Sequence, residues 1–468
     1  MKEWVTKKLA SWAIDLRPED LPDEVLAKAE DCIIDAIACA VPGRCTDGAR
    51  RVHSVAKSTF GKGDAVVWFE TERPHPTGAA VANAASASML DIDDGHRRAL
   101  GHPGAAIVPT TLAAASRPDT RGIDVLANVV AGYEVCIRIG MAEHRKAYHT
   151  GNWSGFGAAV AAGRSSGLNA DQLMNALAIT AYHGPRIADL TLSQDMGANV
   201  KESIPWSIVA GMMATDLAAQ GFSGCRDALD IEERFAPAVA LDGLDGGYFP
   251  TSAAGRSSHA ILRTYFKRYA ACRWIHSAVE GLLAIMRDRN LSPEEIQEIR
   301  VETFLQAASL NNLADPPTLE SAQYSLPYCL GVTAALGENA LMPMSVDSLH
   351  HPLAVKLAKK VTVERVEEMD PDFPVKLPAR VFVTTASGTF DLLVTVPWGE
   401  PDRPPDRADL VAKFHTLARG RIPEDEVSNI VTAVDGLRDG MAQPLLDLLS
   451  RPAGNDIVEL EASRLTVG

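Results

Sequence analysis

The sequence lacks any uninterrupted apolar run near the roughly 20 residues that a membrane span needs, because charge or proline breaks each one. Its first twenty residues, MKEWVTKKLASWAIDLRPED, mix acids and lysines with apolar positions, which predicts a helix and not a secretory leader. Cysteine is scattered: Cys32, Cys39, Cys45, Cys136, Cys225, Cys272 and Cys329 are odd in number and form no C-x-x-C pair. That pattern predicts reduced thiols in a cytoplasmic protein, without structural zinc or an iron–sulfur cluster, both of which want closely spaced thiolates. Positive charge is also short, with 45 Lys plus Arg against 60 Asp plus Glu, a net −15. Such a surface repels phosphate backbones and anionic lipids, which argues against nucleic acid and membrane as partners. G-x-G-x-x-G after a strand, the P-loop, H-E-x-x-H and G-x-S-x-G are all missing, as are internal repeats.

What is present is a chain of 468 residues, 46% apolar and 22% charged, long enough for two or three domains around a large core. Residues 23–40 carry apolar side chains at Val25, Ala29, Cys32, Ile33, Ala36, Ile37 and Ala40, a helical face that Asp23 would cap. Residues 77–90, 155–162 and 207–219 are rich in Ala, Gly and Ser, which lets helix axes approach closely in a tight bundle. Strand-like alternation appears at 298–304, 361–366, 379–385 and 389–396, the last two joined by the hairpin signal Ala386-Ser387-Gly388. Helical stretches at 277–289 and 319–335 alternate with these strands, and helix returns from 406, with a last one at 434–449. The expected fold is mainly α: a large all-helical domain (1–258 plus 402–468) with an inserted smaller α+β lid domain (259–401).

Four clusters carry chemistry. Asp91-Ile92-Asp93-Asp94-Gly95-His96 with His102 could hold a metal, supply an acid and base, or answer a helix C-terminus. The segment His144 to Gly151 precedes a Gly/Ala helix, and no acid occurs between Glu143 and Asp171; it suits a carboxylate or is a basic surface turn. Lys201 stands alone in a small, apolar context, where a solvated lysine is the plainer reading. Between Gly246 and Val279 there is no acid, yet Arg256, Arg263, Lys267, Arg268 and Arg273 are present, which marks an anion site at the domain junction.

In these clusters the sequence resembles the MmgE/PrpD family, whose members include 2-methylcitrate dehydratase, cis-aconitate decarboxylase and iminodisuccinate epimerase. The matching residues are Asp91–Asp94 with His102-Pro103, Gly132-Tyr133-Glu134-Val135 with Arg138, and Lys201. Lys267-x-Tyr269-x-x-Cys272-x-x-x-His276 and Gln323-Tyr324-Ser325-Leu326-Pro327-Tyr328 follow in the family's order. The resemblance implies an interdomain site with His102, Asp91, Tyr328 and Lys201 as catalytic groups, and without a metal or other cofactor. Lys267, Cys272, His276, Tyr324 and either Tyr148 or His149 would hold the substrate. Tyr148-His149-Thr150 stands one residue out of step with the family's His-x-Thr, and Cys272 takes the place of a histidine common in the decarboxylase branch.

These members share chemistry at a carbon acidified by a carboxylate, where cations stabilise the enolate-like species. The expectation is a cofactor-free lyase, a dehydratase first, acting on a small di- or tricarboxylate. Its rivals are an epimerase of a substituted succinate, a decarboxylase and a carboxylate-binding protein without turnover. A homodimer is what the resemblance implies.

Overall fold

The computed structural model describes residues 3–144, 148–185, 193, 195–242 and 259–453; Arg145, Lys146 and Arg256 of the basic clusters fall outside them. The first half is helical: α1 (Val5–Asp15), α2 (Asp23–Gly43), α3 (Asp47–Phe60), α4 (Pro76–Ser88) and α5 (Gly104–Ala114). There follow α6 (Gly122–Ala142), α7 (Ser154–Ser165), α8 (Ala170–His183), α9 (Ile204–Ala219) and α10 (Pro237–Leu241). α2 buries the face read from its spacing, but Asp23 is its first helical residue and caps nothing; Pro22 precedes it. α6 is long and apolar enough to cross a membrane, yet 94% of its most apolar stretch is buried in the protein. It is a core helix.

Small residues set the helix spacing. α7 lies against α6 and α9, with Gly157 facing the Gly132 carbonyl and Gly211 facing that of Gly155. A Cβ at Gly157 or Gly211 would strike backbone there, so these helices touch main chain to main chain.

A two-residue ladder then joins the two halves of the chain: β1 (Gly95–His96) pairs antiparallel with β2 (Thr264–Tyr265). Gly95 is required, because a Cβ there would collide with the Tyr265 ring. Beyond it come α11 (His276–Arg289), β3 (Glu298–Thr303), α12 (Leu305–Ala308), α13 (Leu319–Ala322), α14 (Leu326–Leu336) and α15 (Pro352–Ala358). β4 (Val361–Arg365), β5 (Ala379–Thr385) and β6 (Gly388–Val394) complete a sheet in the order β4-β3-β5-β6, with β3–β4 parallel and the other pairs antiparallel. The fold is mainly α with small sheets.

Two expected helices are broken. The stretch 319–335 divides into α13 and α14 because the Ser325 side chain caps the Tyr328 N–H and Pro327 opens the new helix. The last segment divides into α17 (Glu424–Asp435) and α18 (Gln443–Leu449), after α16 (Arg407–Ala418), with a turn at Gly436–Arg438 between them. α16 packs on α2, and its buried Lys413 reaches Asp35 Oδ1 at 2.6 Å and the Ile92 carbonyl at 2.7 Å. That lysine thereby fixes the turn carrying the acidic cluster.

Candidate active site

The Asp94 side chain pins the turn after α4 at two points. Asp94 Oδ1 accepts the Gly104 N–H at 2.9 Å and Oδ2 accepts the Tyr133 hydroxyl at 2.7 Å. Glu134, on the same helix as Tyr133, accepts the Ile261 N–H at 3.0 Å and so ties the second half of the chain to α6. Burial, then the neighbouring Asp35, pushes the Asp94 carboxyl up to about 7. Asp91 adopts a left-handed backbone (φ 51°), a conformation that aspartate tolerates better than most residues.

His102 sits at the centre, 4% exposed. Its Nδ1 lies 2.7 Å from the Asp94 carbonyl oxygen, which can only accept, so Nδ1 carries the proton. In the neutral ring Nε2 then holds the free lone pair. Nε2 faces Asp91 Oδ1 at 3.6 Å and Glu202 Oε1 at 3.9 Å. The Tyr148 ring lies 5.7 Å from the imidazole, and its hydroxyl bonds that of Tyr265 at 3.0 Å.

Two lysines converge on the same carboxylate. Lys267 Nζ, fully buried, stands 2.9 Å from Asp91 Oδ1, and Lys201 Nζ stands 3.8 Å from it. Burial alone would raise the Asp91 carboxyl, but Lys201, Lys267 and His102 outweigh it and hold it down at about 2. Lys201 also donates to Gln323 Oε1 at 3.0 Å and to the Tyr324 hydroxyl at 3.4 Å. Gln323 in turn donates to the Met89 carbonyl at 3.1 Å. The break between α13 and α14 places Gln323 and Tyr324 here.

The backbone that presents Lys201 is strained. Lys201, Glu202 and Ser203 are consecutive left-handed residues, with φ of 37°, 55° and 57°. Each such residue costs on the order of 1–3 kcal/mol. The turn buries two successive charged side chains, and Glu202 Oε2 anchors it by accepting the Thr150 N–H at 3.0 Å and hydroxyl at 2.5 Å.

Asp91, Asp93 and His102 bring three donor atoms within 4.8 Å of one another, the spacing that a metal ligand set needs. The two ammonium groups on Asp91, however, supply at that carboxylate the positive charge that a dication would bring. Cys272 shares the site's field: burial, then Asp91, pushes its thiol up to about 12, so it is no thiolate at neutral pH. Burial, Asp91 and Glu202 likewise raise Tyr324, which remains a protonated phenol.

Three expected site residues point elsewhere. His149 Nε2 bonds Glu143 at 2.8 Å, so Tyr148 is the one that faces His102. The Tyr328 hydroxyl donates to the Ser348 carbonyl at 2.7 Å, because the cap at Ser325 starts a new helix and turns it away from Tyr324. His276 is held by Arg273 Nη1 at 3.1 Å and the Ala271 carbonyl at 3.2 Å, and burial, then Arg273 and Lys267, lowers its pKa. Conversely, Gln323 and Thr150 stood in the sequence only as members of family motifs without a role of their own, and Glu202 was missed; the Lys-Glu doublet inside an apolar stretch was its available signal.

Sequence profiles of the MmgE/PrpD N-terminal and C-terminal domains match residues 7–243 and 269–439. The chain belongs to the MmgE/PrpD family. It is similar to two proteins of Aspergillus terreus named cis-aconitate decarboxylase, 27% and 28% identical over 98% of both chains. A cis-aconitate decarboxylase-like protein of Aspergillus oryzae, oryM, is 27% identical over 48% of this chain and 49% of its own. Family and relatives are enzymes. The MmgE/PrpD motifs noted in the sequence divide in two: Asp91, His102, Lys201, Lys267 and Tyr324 meet at one point, while Tyr133 and Glu134 hold the frame around it.

Proposed function

We propose that the chain is a cofactor-free lyase that removes water from a small di- or tricarboxylate. The observation that carries this reading is the His102 lone pair at Nε2, set by the Asp94 carbonyl, beside two lysines sharing one carboxylate. A substrate carboxylate entering between Lys201 and Lys267 draws on their charge, and the adjacent C–H becomes acidic. His102 Nε2 takes that proton, and Asp91 and Glu202 stabilise the imidazolium. The C–H electron pair forms the alkene as the β C–O bond breaks, and Tyr324 gives its proton to the departing hydroxide, which leaves as water. Proton transfer from the imidazolium restores the phenol. Tyr324 thus takes the catalytic place expected of Tyr328.

The two full-length decarboxylase relatives favour loss of CO₂ as a second reading. Incubation with a panel of hydroxy and unsaturated polycarboxylates, followed by NMR, separates the readings. An alkene from a hydroxy acid supports dehydration, CO₂ release supports decarboxylation, and inverted configuration indicates an epimerase. Absence of turnover across the panel contradicts a catalytic role.

We also propose a homodimer paired through α9. The outer side of this helix leaves Trp206 60% and Met213 44% exposed, one heptad apart, with the exposed Asp216 near its C-terminal end. Large apolar side chains left exposed on an otherwise packed helix fit a partner, and a two-fold copy would set Trp206 and Met213 of one chain against the same residues of the other.

A further inference from the structure

A second group of cations lies outside the lysine site. A cavity of about 230 Å³ is lined by His96, Arg97, Arg98, Arg263, Glu400 and Asp402, where the β1–β2 ladder meets the loop after β6. Arg97 is only 7% exposed, and its Nη2 donates to the Val375 carbonyl at 2.8 Å. Its Nη1 and Nε have no hydrogen-bond partner among the described residues. Glu400 Oε2 does stand 3.2 Å from that Nε, as an ion pair without hydrogen-bond alignment.

Glu400 is also engaged from its other side. Its Oε1 accepts from Arg273 Nε at 2.8 Å and lies 2.7 Å from Arg273 Nη2. One buried carboxylate therefore serves two buried guanidiniums and leaves one positive charge unmatched. Unpaired buried charge is costly, and an anion relieves it. At the mouth, Arg263 and Asp402 are 3.9 Å apart with side chains 56% and 68% exposed, too loose to cancel the arginines. His96 adds no further positive charge: burial, then Arg263 and Arg98, lowers it to about 3, so it is neutral.

We propose that this cavity is a second anion site, which takes a small carboxylate or phosphate dianion among Arg97, Arg98 and Arg263. It is distinct from the lysine site, since neither Lys201 nor Lys267 lines it. It also adjoins that site. Glu400 in its wall pairs with Arg273, whose guanidinium lies 4.7 Å from the centre of the Tyr265 ring, and the Tyr265 hydroxyl bonds that of Tyr148, whose ring lies 5.7 Å from the His102 ring. An arginine and two tyrosines thus link the cavity wall to the imidazole.

The test is calorimetric titration of the full chain with citrate and, separately, inorganic phosphate. Three proteins are compared: wild type, Lys201→Met, and Arg98→Gln/Arg263→Gln, whose two positions are exposed and whose fold is checked by an unchanged Tm. The expected result is an anion site that survives Lys201→Met and weakens at least tenfold in the double variant. Binding of citrate alone identifies a carboxylate ligand, and binding of phosphate alone a phosphate. An affinity unchanged in the double variant, or loss of all anion binding in Lys201→Met with an intact fold, overturns the proposal.

Discussion

His102 Nδ1 lies 2.7 Å from the main-chain oxygen of Asp94, and the Asp94 side chain is itself locked by Tyr133 and Gly104. One residue therefore sets both the tautomer of the imidazole and the position of the turn that carries it. The carboxyl of Asp94 sits near 7 in the folded protein against an ordinary 3.8, with burial as the main cause. Folding thus takes up a proton between about pH 4 and 7, and stability falls as pH rises across that window. Asp94→Asn keeps an acceptor for the Gly104 N–H and cannot ionise. Denaturant unfolding should show the variant gaining on wild type as pH rises from 4 to 7.5, by on the order of 3 kcal/mol. A gap that does not change with pH would contradict the buried-acid account.

Tyr324 and Tyr328 are four residues apart and have separate tasks. Tyr324→Phe removes a phenol 3.4 Å from Lys201 Nζ and should lower kcat by about 10²-fold or more. Tyr328→Phe removes the bond to Ser348 and should cost about 1 kcal/mol of stability while leaving kcat nearly unchanged. Steady-state kinetics and thermal melts of the pair check both statements.

Glu202 holds the strained turn beneath Lys201 through Thr150. Glu202→Ala should release that turn, raising KM through misplacement of Lys201 and lowering kcat through loss of a negative charge 3.9 Å from His102 Nε2. A change in neither constant would show that the turn holds itself. Kinetics on the best substrate of the panel decides.

The exposed side of α9 gives a prediction independent of chemistry. Trp206→Glu should convert a dimer into a monomer in sedimentation experiments without unfolding the chain, because Trp206 is 60% exposed. A wild type that sediments as a monomer removes the basis for a paired α9.

Much of this was legible in residue order. The 3.6 spacing along α2 and the alternation in β3 to β6 gave those elements nearly to the residue. Asp91 and His102 stood out as a cluster of acids and imidazoles and Lys267 as part of an acid-free basic stretch, whereas Lys201, plainly read as a solvated lysine, joined them only through the family resemblance. The breaks were harder. Tyr324 and Tyr328 read as one helical face until the Ser325 cap and Pro327 part them. Tyr148 and His149 are adjacent, so only the backbone between α6 and α7 could decide which faces His102. Glu202 was hidden for a similar reason: a Lys-Glu doublet points both side chains inward only on a left-handed turn, which propensity does not favour.

The central claim is that His102 exchanges the proton next to a substrate carboxylate. Its most direct measurement is NMR of deuterium incorporation from D₂O into the best-bound polycarboxylate, with wild type compared to His102→Ala. The account predicts exchange at the carbon adjacent to the carboxylate with wild type, and a rate about 10²–10⁴-fold lower in a folded, ligand-binding His102→Ala. Exchange at the wild-type rate in that variant would contradict it.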